Sequence, residues 1–247
     1  MAILTSAPLA VRTGNLFLDS LPSDASVTLL PQLRRVPMQT RHTCTTAGKA
    51  VEVVHFPLSS VVSVVARMRD GGDHEVGVIG REGVVGGLEL LFRGPSLYES
   101  FVQIPDSALA LDAAAFRHEL ASNTGLAEAL LRFAQATLSS TSQSAACNGS
   151  HPVEERCAKW ILVAHDRVPG DVVALTHEFL GQMLNVRRAG VTNAALHLQK
   201  AGAISYTRGK ITVSDRSRLE DLSCECYKTM NDNAALILGY DIRKTAL

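Results

Sequence analysis

Leu175-Thr176-His177-Glu178-Phe179-Leu180-Gly181-Gln182-Met183-Leu184-Asn185-Val186 predicts a short helix that runs into a tight turn. Thr176 suits the N-cap, because its hydroxyl can accept from a first-turn amide, and Glu178 sits near the positive helix end. Leu180, Met183 and Leu184 share one face by their spacing. Gly181 costs roughly 1 kcal/mol of helix propensity, which points to close approach of a second helix. Asn185 can take the left-handed conformation that ends a helix.

A second helix is expected from Arg187 to Lys200, with Val191, Ala195 and Leu198 inward and Arg188, Thr192, Asn193, Gln199 and Lys200 outward. Gly202 stops it. Ile204, Tyr206, Ile211 and Val213 then alternate with Ser205, Thr207 and Thr212 around Arg208-Gly209-Lys210, a hairpin pattern with a basic tip. Helix, turn, helix and basic hairpin make a winged helix-turn-helix, whose second helix can lie in a DNA major groove. From Thr176 to Thr212 five basic residues (Arg187, Arg188, Lys200, Arg208, Lys210) face one acid, Glu178, on a chain of formal net charge zero. Such a local patch suits a binder of phosphate backbone. A solvated helix face with no partner is the plain alternative.

The pattern Leu175-Thr176-x-x-x-Leu180-Gly181-Gln182-x-Leu184-x-Val186-x-Arg188-x-x-Val191 resembles the helix-turn-helix of the Crp/Fnr family of bacterial transcription regulators. The resemblance implies a homodimer in which each recognition helix reads half of a near-palindromic duplex site. It implies that Arg188 contacts a guanine. Two neighbours depart from the family pattern, Ala189 where a glutamate is usual and Asn193 where a second base-reading arginine is usual. Arg187 replaces the usual Ser or Thr at the start of the recognition helix, so the operator is expected to differ from the family's best-known one. In this reading Arg188 takes guanine O6 and N7, and Asn193 pairs with adenine. Arg187, Thr192 and His177 add base or phosphate contacts, while Thr176, Lys200, Arg208 and Lys210 position the duplex through phosphates.

The 247 residues, 46% hydrophobic and 19% charged, allow two domains with real cores and argue against disorder. Apolar runs are broken well before ~18 residues, so no membrane span is expected. Met1-Ala-Ile-Leu-Thr lacks a basic region ahead of an apolar stretch, and the expected compartment is the cytoplasm. Five cysteines (Cys44, Cys147, Cys157, Cys224, Cys226) form no disulfide framework. Only Cys44 lies in the first 146 residues, against the N-terminal iron–sulfur cluster of some family members. Cys224-Glu225-Cys226 offers half of a metal or redox site with no second pair to complete it, so neither metal nor cofactor is expected.

Residues 1–13 read as a loose leader, and Asn15 to Leu33 as one or two short helices. Strand candidates follow at Val51–Phe56, Val61–Met68, Glu75–Ile79, Ser100–Ile104 and Ala108–Leu111, with a turn at Asp70-Gly71-Gly72-Asp73. Short strands at even spacing favour a small antiparallel barrel or jelly roll, and the resemblance implies a cyclic-nucleotide-binding β-roll. Gly77, Gly80, Gly83 and Gly86, with Gly87, recur without the Gly-Lys-Ser/Thr of a phosphate loop, and read as β-roll corners. Family members that bind a cyclic nucleotide use Gly-Glu-Leu on the ribose and Arg-Ser/Thr-Ala on the phosphate. Here the corresponding effector-pocket positions are Gly86-Gly87-Leu88 and Tyr98-Glu99-Ser100, without the glutamate or the arginine, and Arg93 stands at the wrong spacing to substitute. Cyclic AMP is therefore not expected as effector.

Asp112 should cap a short helix, followed by a long one from about Thr124 to Ala146. Its stripe Leu126, Leu130, Phe133, Thr137, Thr141 and Ser144 is assigned to dimerisation, with Leu131, Ala134 and Leu138 flanking. Asn148-Gly149-Ser150-His151-Pro152 reads as a hinge, with Gly ending the helix. An amphipathic helix from Arg156 to Arg167, a last helix from Asp215 towards Leu238 and a loose tail from Gly239 complete the chain. The eight histidines read as surface or capped residues, and His165-Asp166 make no catalytic relay. With no nucleophile elbow or His-Glu-x-x-His, no enzyme is expected. The expected fold class is α+β: a β-roll sensory domain over 14–122, a dimerisation helix over 123–148 and a winged helix-turn-helix over 149–235. The expected function is a homodimeric, sequence-specific DNA-binding regulator, with RNA polymerase as a further partner if it activates. The alternative is a ligand-sensing β-roll whose helix-turn-helix serves protein contacts only.

Overall fold

The computed structural model describes residues 12–69, 72–92, 94–207 and 209–243. Residues 1–11 of the expected leader, the turn residues Asp70 and Gly71, Arg93 and the wing residue Arg208 lie outside them, as do the side chains of His177 and Glu178. Thr13, at the leader's end, is held by Asp19 Oδ1 at 2.7 Å. Two short helices, α1 (Leu16–Asp19) and α2 (Ser23–Leu29), lead into seven strands: β1 (Arg34–Met38), β2 (Thr43–Thr45), β3 (Val53–Pro57), β4 (Val61–Arg67), β5 (Asp73–Ile79), β6 (Glu99–Ile104) and β7 (Asp106–Asp112). A single turn, α3 (Glu89–Phe92), interrupts them. All pairings are antiparallel, in a three-stranded sheet of order β1-β7-β3 and a four-stranded sheet of order β2-β6-β4-β5. Met38, Val54, Phe56, Val62, Val102 and Leu111 fill the core between them.

The apolar run of β4 explains how this roll meets the rest of the chain. Val62 belongs to the core inside the roll, whereas Val61 belongs to a second core shared with the C-terminal helices. A strand covered on both faces needs no polar alternation. Of the recurrent glycines, Gly77 lies inside β5 opposite Val64 and not at the expected corner, while others serve close packing. A Cβ on Gly83 would lie 2.3 Å from the Phe133 ring, and one on Gly80 would lie 2.7 Å from Arg167.

Asp112 caps α4 (Ala113–Ser122) by accepting from the amides of Ala114 and Ala115. Asn123 then caps the 27-residue α5 (Thr124–Ser150). The helix does not stop at the expected Gly149. It runs to Ser150 and is ended by the extended backbone of His151 ahead of Pro152. The stripe assigned to dimerisation also needs correction. Leu126, Leu130 and Phe133 are buried in the chain's own core. The Thr141 hydroxyl donates to the Val76 carbonyl, and that of Ser144 to the Met230 sulfur. The large apolar side chains were drawn to the intramolecular core, leaving Leu131 and Leu138 exposed at 57% and 62%.

The C-terminal unit comprises α6 (Val153–His165), β8 (Val172–Val173), α7 (His177–Leu184), α8 (Arg188–Lys200), β9 (Ile204–Thr207), β10 (Lys210–Val213), α9 (Arg216–Asp221) and α10 (Cys226–Leu238). The expected amphipathic α6 is buried nearly all round, because it is packed by the helix-turn-helix on one side and α10 on another. The expected last helix is two helices, broken at 222–225. α10 lies along α5, and the tail is not loose as far as Arg243. Tyr240 donates to the Glu82 carbonyl at 2.7 Å, and Ile242 is buried. Among the described residues no helix is long and apolar enough to cross a membrane.

Candidate DNA-binding interface

The turn between α7 and α8 follows from its residues. Thr176 Oγ1 accepts from the Phe179 amide at 3.3 Å. Leu180, Met183 and Leu184 are buried beneath. Asn185 adopts φ 51°, ψ 48°, and the Val186 amide returns to the Gly181 carbonyl at 3.0 Å. A Cβ on Gly181 would stand 3.1 Å from the Val186 carbonyl oxygen and 3.7 Å from Val191 Cγ2, so glycine lets the turn close tightly against α8. Val191, Ala194, Ala195 and Leu198 seat α8 in the core. Arg188, Asn193 and Lys200 are exposed on the opposite arc. Arg187 occupies the N-cap, exposed, with no capping bond from its side chain. Thr192 is half-buried and its hydroxyl donates back to the Arg188 carbonyl at 3.0 Å, as helix threonines often do.

The wing is a three-stranded sheet of order β8-β10-β9, with Ile204 opposite Val213 and Tyr206 opposite Ile211. Gly209 turns the tip at φ 78°, and Lys210 beside it is exposed. The strand β8 is too short to announce itself by periodicity. Beneath the module, Asp166 Oδ1 accepts from Arg216 at 2.7 Å and Asp166 Oδ2 from Tyr227 at 2.7 Å, while Arg216 reaches His165 Nδ1 at 2.8 Å. The neighbouring His165 and Asp166 thus anchor α9 and α10.

The same unit is docked on the β-roll. Phe179 packs against Phe101 with Arg41 over its ring, 4.9 Å from the centroid. Trp160 Nε1 donates to Glu75 Oε1 at 2.9 Å. Burial lifts the Glu75 carboxyl to about 7, against the opposing pull of the Trp160 and Ser63 hydrogen bonds and the Arg167 and Lys159 charges. A cavity of about 220 Å³ lies at this junction, lined among others by Val76, Phe133, Trp160, Arg167, Met183 and Ala234. The expected effector residues do not line it. Gly86 takes φ 83° and, with Gly87 and Leu88, closes the roll against Val51, Val84 and Leu130. Tyr98 is exposed, Ser100 shares a 2.7 Å hydrogen bond with Thr45, and Glu99 pairs with Arg67 at 3.1 Å.

One expectation about cysteines is overturned. Cys224 and Cys226 do find further metal-ligand types beside them, Cys147 and His151 from the end of α5. Only the fold could reveal this, since the partners lie more than seventy residues away in sequence.

Residues 155–222 match the Crp-like helix-turn-helix domain family. The chain carries a Crp-like helix-turn-helix domain. Its wider architecture is the Crp/Fnr fold, as three solved structures attest. FixK2 from Bradyrhizobium japonicum is 19% identical with a TM-score of 0.65, covering 78% of this chain and 98% of that one. The regulator CLP from Xanthomonas campestris, described as c-di-GMP responsive, is 15% identical at TM-score 0.61, covering 78% and 100%. A Crp/Fnr family transcriptional regulator from Eubacterium rectale is 13% identical at TM-score 0.62, covering 83% and 95%. No curated protein matches the chain.

Proposed function

We propose that this Crp/Fnr-fold protein is a sequence-specific DNA-binding transcription regulator that acts as a homodimer in the cytoplasm and is not controlled by cyclic AMP. The observation that carries the reading is the exposed arc of α8, where Arg188, Asn193 and Lys200 stand over a closely packed turn, with Arg187 at its start and Lys210 on the wing. Arg188 reads guanine and Asn193 adenine, while Thr176, Lys200 and Lys210 hold phosphates. Dimerisation is supported by a different stripe of α5 from the one expected. Leu131, Gln135, Leu138, Ser142, Ala145 and Gly149 alternate at four and three residues, the period of a two-helix seam, and Leu131 and Leu138 are exposed on it.

Loss of cyclic AMP control is supported by the chemistry of the roll. Gly87 stands where a ribose-binding glutamate is expected, and Glu99 offers a carboxylate engaged by Arg67 where a phosphate-binding arginine is expected. Selection of bound sequences from a random duplex pool, followed by anisotropy titration at rising salt, tests the DNA reading. Recovery of paired half-sites and a steep decline of affinity with salt support it; failure to enrich any sequence overturns it. Calorimetric binding of cyclic AMP would refute the effector claim.

A further inference from the structure

Cys147, in the last turn of α5, lies 3.5 Å (Sγ to Sγ) from Cys224, in the break between α9 and α10. Cys226, the first residue of α10, has its Sγ 3.7 Å from Nδ1 of His151. The four ligand atoms all lie within 4.8 Å of one another. We propose that Cys147, His151, Cys224 and Cys226 form a binding site for one tetrahedrally coordinated zinc ion, which staples the end of the long helix to the break before α10.

Four observations converge on that ion. First, the separations fit a single centre. A tetrahedron with metal–sulfur bonds of ~2.3 Å has edges of roughly 3.8 Å. An iron–sulfur cube spreads its cysteines over different irons and holds their sulfurs farther apart. Three thiolates and one imidazole are also the ligand set that favours zinc.

Second, the histidine is oriented as a ligand. Its Nδ1 faces the sulfurs while its Nε2 lies 3.1 Å from the Glu225 carboxylate. A carboxylate accepting from one ring nitrogen fixes the tautomer that leaves the other a lone pair for metal. Third, the thiols belong to neither apolar core and form a buried group of their own. Lys159, itself buried, is near enough for its charge to favour the Cys147 thiolate. Binding releases three thiol protons to solvent, and the three thiolates with a divalent ion leave one negative charge, which Lys159 offsets. Fourth, a surface groove beside the cluster, lined by Glu154, Glu155, Asp221, Cys224 and Glu225, gives a cation an acidic approach.

The test uses the full chain, purified without an affinity tag or chelator under reducing conditions. Elemental analysis should find one zinc per chain, and replacement with cobalt should give the visible bands of a tetrahedral thiolate site. Cys224→Ser and Cys226→Ser should lose stoichiometric metal, while Cys44→Ser retains it. Glu225→Gln changes a side chain that is 73% exposed and should not disturb folding. It is expected to weaken metal affinity roughly 10–100-fold. Absence of zinc together with no cobalt bands in the reduced wild type would overturn the site. So would iron with acid-labile sulfide, or a Cys147–Cys224 disulfide as the state of freshly isolated protein. None of these readouts depends on DNA binding.

Discussion

Arg167 holds Glu82 across the junction between the β-roll and the helix-turn-helix unit, with its Nε 3.0 Å and its terminal nitrogen 2.9 Å from a single carboxylate oxygen. That oxygen also accepts from the Gly80 amide, and both side chains are nearly inaccessible. Arg167 lies just after α6, and Glu82 follows β5. One ion pair therefore fastens the two units.

Breaking one side of a buried pair leaves the other charge stranded. Glu82→Ala is expected to cost about 3–5 kcal/mol in urea unfolding. The double variant Glu82→Leu with Arg167→Met should recover most of that loss, since it removes both charges. A double variant no better than the single one would mean that the pair's geometry, rather than its stranded charge, sets the cost.

Glu75 makes the same junction sensitive to pH. Burial raises its carboxyl from 4.5 in the free residue to about 7. Its contribution is fully present below about pH 4.5, where both folded and unfolded chains are protonated. It is lost as pH rises through 7, because the folded state must then surrender a proton that the unfolded state had already lost. The loss between pH 4.5 and 7 should be on the order of 2–3 kcal/mol. Glu75→Gln should remove that part of the slope in denaturation midpoints. Trp160 is the only tryptophan, so its fluorescence should titrate near pH 7 in the wild type alone.

Arg188 and Lys210 should separate base reading from phosphate holding. Arg188→Ala is expected to cost about 1–3 kcal/mol on the selected site and to relax preference at one base pair. Lys210→Ala should weaken operator and random duplex alike and lower the salt slope by about one. Anisotropy titrations on both duplexes decide this, and equal losses from both variants would sink the division.

The seam on α5 is tested by charge. Leu131→Glu combined with Leu138→Glu places acids on an exposed stripe, so the isolated chain should keep its helix content. Sedimentation should then show monomers where the wild type shows dimers, and affinity for a full operator should drop toward that for a half-site. Unchanged dimers would move the interface elsewhere.

The helix-turn-helix was legible because its determinants are local. Thr176, Gly181, Asn185 and the Ile204–Val213 alternation each act within a few residues of themselves. The edge strand β1 was not, since Arg34-Arg-Val-Pro-Met carries a proline and little alternation, tolerable only where one side of the strand is unpaired. On α5 two stripes competed. The larger apolar residues marked the stripe facing the chain's own core, while the proposed seam is mostly small or polar. The Cys147–His151 partnership with Cys224 and Cys226 depends on α10 folding back along α5, which no local pattern announces.

That fold-back makes α5 a phased axle. On one side sit Phe133, Ala136 and Ser144 beneath α10, and half a turn away run Leu131, Leu138 and Ala145. One residue inserted between Leu138 and Ser144 would swing the later part of each seat about 100° away from its earlier part. In the proposed dimer, a residue count along one rod would index how its reading helices are set against a duplex.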